Sequence, residues 1–257
     1  MHPIEKLHVE SNDSRLNNED YNDTNVIKHL RRYEFAKQFT KGNSFLDLAC
    51  GTGYGTRIMN ENLKNLVQIG GELSINALPK NDNKFVNLNC HNLPFKNNSF
   101  GCIVSFETIE HLPNPKQFLK ETYRCLTPKG KLIVSTPNKI FTSFLRKKPL
   151  TKFHFDEWTL KGYTQLLNST YNSIEWYCQG PITQPWLYAA ENWLYWQRTL
   201  KKARVSNQIY KLIKRISPHK SVTPSLKWNN CDLKDFYKVV KMNSNTTPLV
   251  FVAVCSK

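Results

Sequence analysis

The stretch Phe45-Leu-Asp-Leu-Ala-Cys-Gly-Thr-Gly-Tyr-Gly55 decides the reading of this chain. Ser44–Leu48 is a short apolar run of strand length, and it feeds directly into glycines at 51, 53 and 55. Glycine tolerates positive φ and lets a ligand approach the backbone closely. The pattern that follows, Arg57–Leu63, reads as a helix, whose N-terminus offers unpaired N–H groups to whatever the loop holds. Strand, glycine loop, helix is the opening unit of a nucleotide-binding α/β fold.

Further along, the same alternation repeats. Leu66–Gly70, Phe85–Leu88, Gly101–Phe106 and Lys131–Ser135 read as strands, and Pro115–Leu126 as a helix between the last two. Thr127-Pro-Lys-Gly130 supplies the turn before Lys131. Glu157–Leu167 then reads as a helix, Ser173–Cys178 as a sixth strand and Leu249–Val254 as the last. Upstream, Val26, Leu30, Tyr33, Phe35, Ala36 and Phe39 space out an amphipathic helix. The expected architecture is α/β, a seven-stranded, mostly parallel Rossmann-like sheet with helices on both faces. The expected parts are an arm and cap helix over 1–40, a core over 41–180, a helical insertion over 181–246 and a final core strand over 247–257.

Two acidic residues define the ligand. Asp47 ends the first strand four residues before Gly51. A carboxylate there repels a pyrophosphate and suits a cationic group. Glu72 follows the second strand about 20 residues beyond the loop, where an acid accepts hydrogen bonds from ribose hydroxyls. The dinucleotide pattern G-x-G-x-x-G is not met, because Thr56 stands where the third glycine belongs.

On these residues the chain resembles the class I S-adenosylmethionine-dependent methyltransferases. L-D-L-A-C-G-T-G-Y-G-T is similar to their first motif. L-P-F-K-N-N-S-F, S-F-E-T-I-E-H-L-P-N-P and L-T-P-K-G-K-L-I-V-S-T-P-N resemble later blocks, in order and at the usual spacing across about residues 26–180. The resemblance implies S-adenosylmethionine as methyl donor, with S-adenosylhomocysteine as product. Position by position it implies that Asp47, Ala49, Gly51 and Gly53 hold the methionine end, that Glu72 takes the ribose, and that Leu73 lies against the adenine. Asn89, followed by Cys90, stands where the family often has an aspartate that receives the adenine amino group; asparagine keeps a carbonyl acceptor. Gly101 also stands where the family often has aspartate. H-L-R-R-Y at 29–33 resembles a segment that closes over the cofactor, and Arg32 could fork onto its carboxylate. A solvated basic face is the other reading of Arg32.

Methyl transfer is a displacement at a sulfonium methyl, so the protein must align the partners, exclude water and supply a base where the acceptor is a hydroxyl. Glu107 and His111 follow the fourth strand, where ligands bind in such sheets. A histidine is suited to take a proton near neutral pH. Asn138, His154 and Asp156 follow the fifth strand, and F-H-F-D-E-W-T resembles a block of methyltransferases associated with surface glycans; Asp156 or Thr159 would alternatively cap a helix.

The bulk numbers bound the rest. The net charge of +16 is concentrated: from Pro181 to Thr246 twelve Lys/Arg face three Asp/Glu. Within that region W-L-Y-A-A-E-N-W-L-Y-W-Q-R-T-L-K-K and Q-I-Y-K-L-I-K-R-I, over 186–216, read as a lid, as an interfacial helix at an anionic membrane, or as helices packed on the sheet. Seven cysteines without C-x-x-C spacing suggest neither disulfides nor a zinc site, and no metal is expected. A polar N-terminus and no long apolar run lead to an expected cytoplasmic location, with peripheral contact at the inner membrane face as an addition. A nucleic-acid acceptor is disfavoured, because Ser105-Phe-Glu-Thr replaces the [DN]-P-P-[YF] that stacks a flipped base. The expected activity is O-methylation of a sugar, glycan or other small-molecule hydroxyl. Quinone-precursor or lipid methylation, nucleic-acid methylation and non-catalytic cofactor binding are the alternatives.

Overall fold

A computed structural model describes residues 24–40, 44–60, 67–80, 82–143, 146–149, 151–182, 237–243 and 247–257. Their elements are α1 (Thr24–Ala36), β1 (Phe45–Leu48), α2 (Tyr54–Asn60), β2 (Gln68–Glu72), β3 (Phe85–Asn87), β4 (Phe100–Phe106), α3 (Pro115–Cys125), β5 (Leu126–Pro137), α4 (Lys139–Thr142), α5 (Leu160–Asn168), β6 (Ser173–Ile182), β7 (Val240–Lys241) and β8 (Thr247–Ser256). Single 3-10 turns cover Lys37–Phe39 and Ile109–His111.

The strands form one sheet in the order β3-β2-β1-β4-β5-β8-β6-β7. The pairs β1–β2, β2–β3, β1–β4 and β4–β5 are parallel, and β8 runs antiparallel to both β5 and β6. The expected α/β sheet is therefore present, with eight strands instead of seven. The extra strand, Val240–Lys241, pairs with Tyr177 and Cys178. Two residues cannot display an alternating pattern, so nothing local announces it.

Period-two alternation splits the core between the two faces. Leu46, Leu48, Ile103, Leu132, Val134, Phe251 and Ala253 pack on one side with Phe118 and Leu119 of α3 and with Tyr163 and Leu167 of α5. Phe45, Cys102, Val104, Ile133, Val252 and Val254 pack on the other with Tyr33 and Ala36 of α1 and Met59 of α2. Each such fully buried large side chain contributes roughly 1.5–3 kcal/mol. Because both faces are covered, β1 and β4 are buried along their whole length.

The helix limits have local causes. Asn114 caps α3 by accepting from the Gln117 N–H, with Pro115 in the first turn. α5 begins at Leu160 instead of Glu157, because Thr159 accepts from the Gly162 N–H while the Glu157 carboxylate turns inward. α2 begins three residues ahead of the expected Arg57, since the loop passes directly into it. The expected arm lies almost wholly outside the described residues, as does the basic segment 186–216. Among the described residues no helix is long and apolar enough to cross a membrane.

The strand order reverses between β1 and β4, the switch point at which open α/β sheets bind ligands beyond the carboxyl ends of their strands.

Candidate active site

The loop from β1 to α2 is held open by its backbone. Ala49, Gly51 and Gly53 have φ of 59°, 57° and 76°. For Ala49 this is a sparsely populated conformation, of the kind that clusters at ligand sites. A Cβ on Gly53 would lie 2.2 Å from the Phe85 ring. That glycine therefore lets the loop pack down on β3 as well as turn. The Glu72 carboxylate bridges the loop and the end of β2, accepting from the Gly51 N–H at 3.1 Å and the Ser74 N–H at 3.0 Å. Each carboxylate oxygen keeps a further lone-pair direction for a ligand hydroxyl. Beside it, Leu73 and Ile75 are 68% and 70% exposed. Two large apolar side chains left in water next to a hydroxyl acceptor fit an adenosine, with ribose on the acid and base on the apolar pair.

Asp47 sits beneath this cradle, fully buried. Thr56 Oγ1 donates to one of its oxygens at 2.7 Å and the Tyr33 hydroxyl to the other at 3.2 Å. Burial pushes its carboxyl up to about 7, against the pull of the Thr56 and Tyr33 hydroxyls, and the Glu72 charge adds to the rise. Asp47 thereby ties α1 and α2 to β1. Gly55 makes this possible: a Cβ there would lie 2.0 Å from the Tyr33 ring.

At the exposed start of the next turn, Asn89 Oδ1 accepts from the His91 N–H at 2.9 Å and lies 3.2 Å from His91 Nδ1. Cys90 is half-buried, and burial raises its thiol to about 11, so it is a thiol, not a thiolate, at neutral pH.

Arg32 is 1% exposed, which removes the solvated-face reading. Its Nη1 lies 3.3 Å from Glu107 Oε1 and 3.1 Å from Gln179 Oε1, and its guanidinium carbon stands 5.9 Å over the Phe106 ring. Gln179 is held in turn by donating to the Lys28 and Tyr237 carbonyls. Arg32 Nε is buried with no hydrogen-bond partner among the described residues. An unpaired donor on a guanidinium that also contacts Glu107, just past β4, and Gln179 of β6 is what a ligand carboxylate would satisfy. Glu107 itself adopts φ 52°, held by its N–H to the Ser135 hydroxyl and by that hydroxyl donating back to its carboxylate at 2.8 Å.

The turn after β4 gathers a second cluster. Glu110 is buried and accepts from Thr136 Oγ1 at 3.1 Å. Burial, and then the charge of Glu107, push its carboxyl well above the usual carboxylate range. His111 is exposed, with Nδ1 3.0 Å from the Phe153 carbonyl oxygen. His154 meets it edge-on, ring centroids 4.7 Å apart, and sets its own Nδ1 2.5 Å from Glu157. Burial alone would raise the Glu157 carboxyl, but hydrogen bonds from His154, Ser143 and Thr142 hold it below its ordinary value. The Glu110 carbonyl accepts from the Phe155 N–H at 2.8 Å, docking the 153–156 loop on the turn. Asn138 is structural: fully buried, it caps α4 and donates to the Pro248 carbonyl. Asp156 accepts from the Glu157 N–H.

The structure thus brings Gly51 to Glu72, Arg32 to Glu107, and His111 to His154. Sequence reading passes over Glu110, Glu157, Ser135 and Gln179. The spacing E-x-x-E-H over 107–111 was the available signal for Glu110; nothing local marks Gln179.

Residues 46–134 match the family model described as a methyltransferase domain. A Mycolicibacterium smegmatis protein named "Probable S-adenosylmethionine-dependent methyltransferase" is 32% identical over 153 residues, 58% of this chain and 59% of the relative. The mitochondrial ubiquinone biosynthesis O-methyltransferase of Dictyostelium discoideum is 27% identical over 142 residues, 50% of this chain and 40% of the relative. The chain therefore spans less than two thirds of the length of these relatives. The crystal structure of an S-adenosylmethionine-dependent methyltransferase from Archaeoglobus fulgidus shares the fold, with a TM-score of 0.55 at 14% identity, covering 91% of this chain and 94% of that one.

Proposed function

We propose that the chain is a class I, Rossmann-like S-adenosylmethionine-dependent methyltransferase that methylates a hydroxyl on a small-molecule acceptor of the sugar or glycan kind. The observation that carries this reading is a juxtaposition at one end of the sheet. The Glu72–Leu73 cradle follows β2, and a turn bearing an imidazole follows β4, on either side of the switch point.

S-adenosylmethionine supplies a methyl group on a sulfonium, open to direct displacement. The protein's part is placement. Glu72 accepts the ribose hydroxyls, Leu73 covers the base, and Asn89 Oδ1 accepts from the adenine amino group. The open backbone at Ala49, Gly51 and Gly53 admits the methionine end, whose carboxylate pairs with Arg32 Nε. Asp47 contributes its charge from beneath the loop. His111 faces the acceptor: with its Nδ1 proton on the Phe153 carbonyl, the lone pair lies on Nε2, ready to take a hydroxyl proton. Glu107, ion-paired to Arg32, positions that arginine.

A quinone-precursor acceptor is the second reading, favoured by the likeness to the Dictyostelium O-methyltransferase. Calorimetric titration with S-adenosylmethionine, S-adenosylhomocysteine and NAD tests the core of the proposal. Binding of the first two and not of NAD is expected; NAD binding or no binding of the first two would overturn it. Methyl transfer from labelled cofactor to nucleotide sugars, glycans and quinone precursors then separates the acceptors.

A further inference from the structure

Glu110, His111 and His154 each place a ligand atom within 4.8 Å of the others, the one such cluster among the described residues. We propose that these three side chains bind a divalent transition-metal cation at the acceptor side of the site.

The chemistry of the donor set supports this. Two imidazoles and one carboxylate form a mixed N/O site, suited to Mn²⁺, Fe²⁺ or Zn²⁺ more than to Ca²⁺ or Mg²⁺, which favour all-oxygen shells. Both histidines are set in the tautomer that a ligand needs. His154 Nδ1 is held by the buried Glu157 carboxylate and His111 Nδ1 by the Phe153 carbonyl, so the Nε2 lone pairs are the ones offered. An acceptor behind each ligating imidazole is the usual outer shell of a protein metal site. Glu157 is itself fixed by Thr142 Oγ1 at 2.8 Å. Glu110 is buried, with its carboxylate oriented by the bond it accepts from Thr136 Oγ1. Glu107 is paired with Arg32, which leaves Glu110 as the carboxylate of the donor set. Three protein ligands, one of them exposed, keep positions open for another molecule, as catalytic sites do.

The site itself does not depend on methyl transfer; its role rests on the hydroxyl-acceptor reading above. An acceptor hydroxyl at an open position becomes more acidic and loses its proton to water at neutral pH. Its oxygen then forms the new C–O bond as the S–CH₃ bond breaks, and the electron pair of that bond returns to sulfur as the neutral thioether. The His111 lone pair is then spent on the cation, which replaces it in activating the hydroxyl.

The test is Mn²⁺ binding to the full chain, followed by electron paramagnetic resonance and calorimetry, with S-adenosylhomocysteine binding measured in parallel. One equivalent should bind. Glu110→Gln and His154→Ala should each weaken it at least tenfold and Glu157→Gln by 10- to 100-fold. Glu175→Gln, on β6, should leave it unchanged. In the unsubstituted chain Mn²⁺ should broaden the imidazole resonances of His111 and His154 first, a readout that no misfolded variant can confuse. Binding unaffected by Glu110→Gln and His154→Ala, or no selective broadening, overturns the proposal. Methyl transfer that persists in a chelator, in a chain that binds no Mn²⁺, overturns the cation while sparing the hydroxyl reading. Selective Mn²⁺ binding in a chain that binds no S-adenosylhomocysteine supports the cation site and removes the methyltransferase reading instead.

Discussion

Asp47→Asn gives the sharpest test of how the cofactor loop is built. In the unfolded chain the carboxyl titrates near 3.8; in the folded chain burial moves it to about 7. Between those values the folded state holds a proton that the unfolded state has lost, so the stability of the native chain must fall as pH rises. The slope is about 1.4 kcal/mol per pH unit, and the full span comes to roughly 4 kcal/mol. The contribution is complete below pH 4 and gone above pH 7. Asparagine has no such titration, and it can still accept from Thr56 and donate to the Tyr33 oxygen. Urea unfolding of both chains from pH 5 to pH 8 isolates the effect, because other groups cancel in the difference. The stability of Asp47→Asn relative to the native chain should rise by about 2–3 kcal/mol across that range. Parallel curves would refute the buried, high-pKa assignment. A cationic ligand above the loop should pull the carboxyl down again. S-adenosylmethionine binding near pH 6 should then release protons, read as a buffer-dependent calorimetric enthalpy absent in Asp47→Asn.

Five further outcomes follow from particular contacts. Gly55→Ala forces a Cβ into the Tyr33 ring and should cost about 1–3 kcal/mol in denaturant unfolding. Gly162→Ala on α5 meets nothing closer than 3.6 Å and should be neutral or stabilising by up to about 1 kcal/mol. Glu72→Ala should weaken S-adenosylmethionine on the order of 100-fold by calorimetry, since two charge-assisted hydrogen bonds are lost. Arg32→Ala should cost about 2–3 kcal/mol in unfolding, less than the roughly 3–5 of a fully buried pair, because Glu107 keeps 23% exposure. His111→Ala should cut turnover about 10²- to 10⁴-fold in a labelled-methyl assay and leave cofactor affinity unchanged.

Local rules carried the sequence as far as the fold, the loop and Glu72. Period-two burial, the glycines at 51 and 53 and the capping residues act within a few positions of each other, so a linear reading recovers β1, β4, α3 and the acid after β2. The same locality hid the short strand Val240–Lys241 and misplaced the start of α5, where an inward-turned Glu157 overrides the helical pattern. Tertiary structure alone decided the partners. Arg32 meets Gln179 from 147 residues away, and His111 meets the Phe153 carbonyl across 42. It also decided that Asp47 is buried beneath the loop, although its position in the motif is plain from the sequence. Burial depends on which elements cover a strand, and pairing depends on which strand ends the topology brings together. Neither is written in the spacing of neighbouring residues.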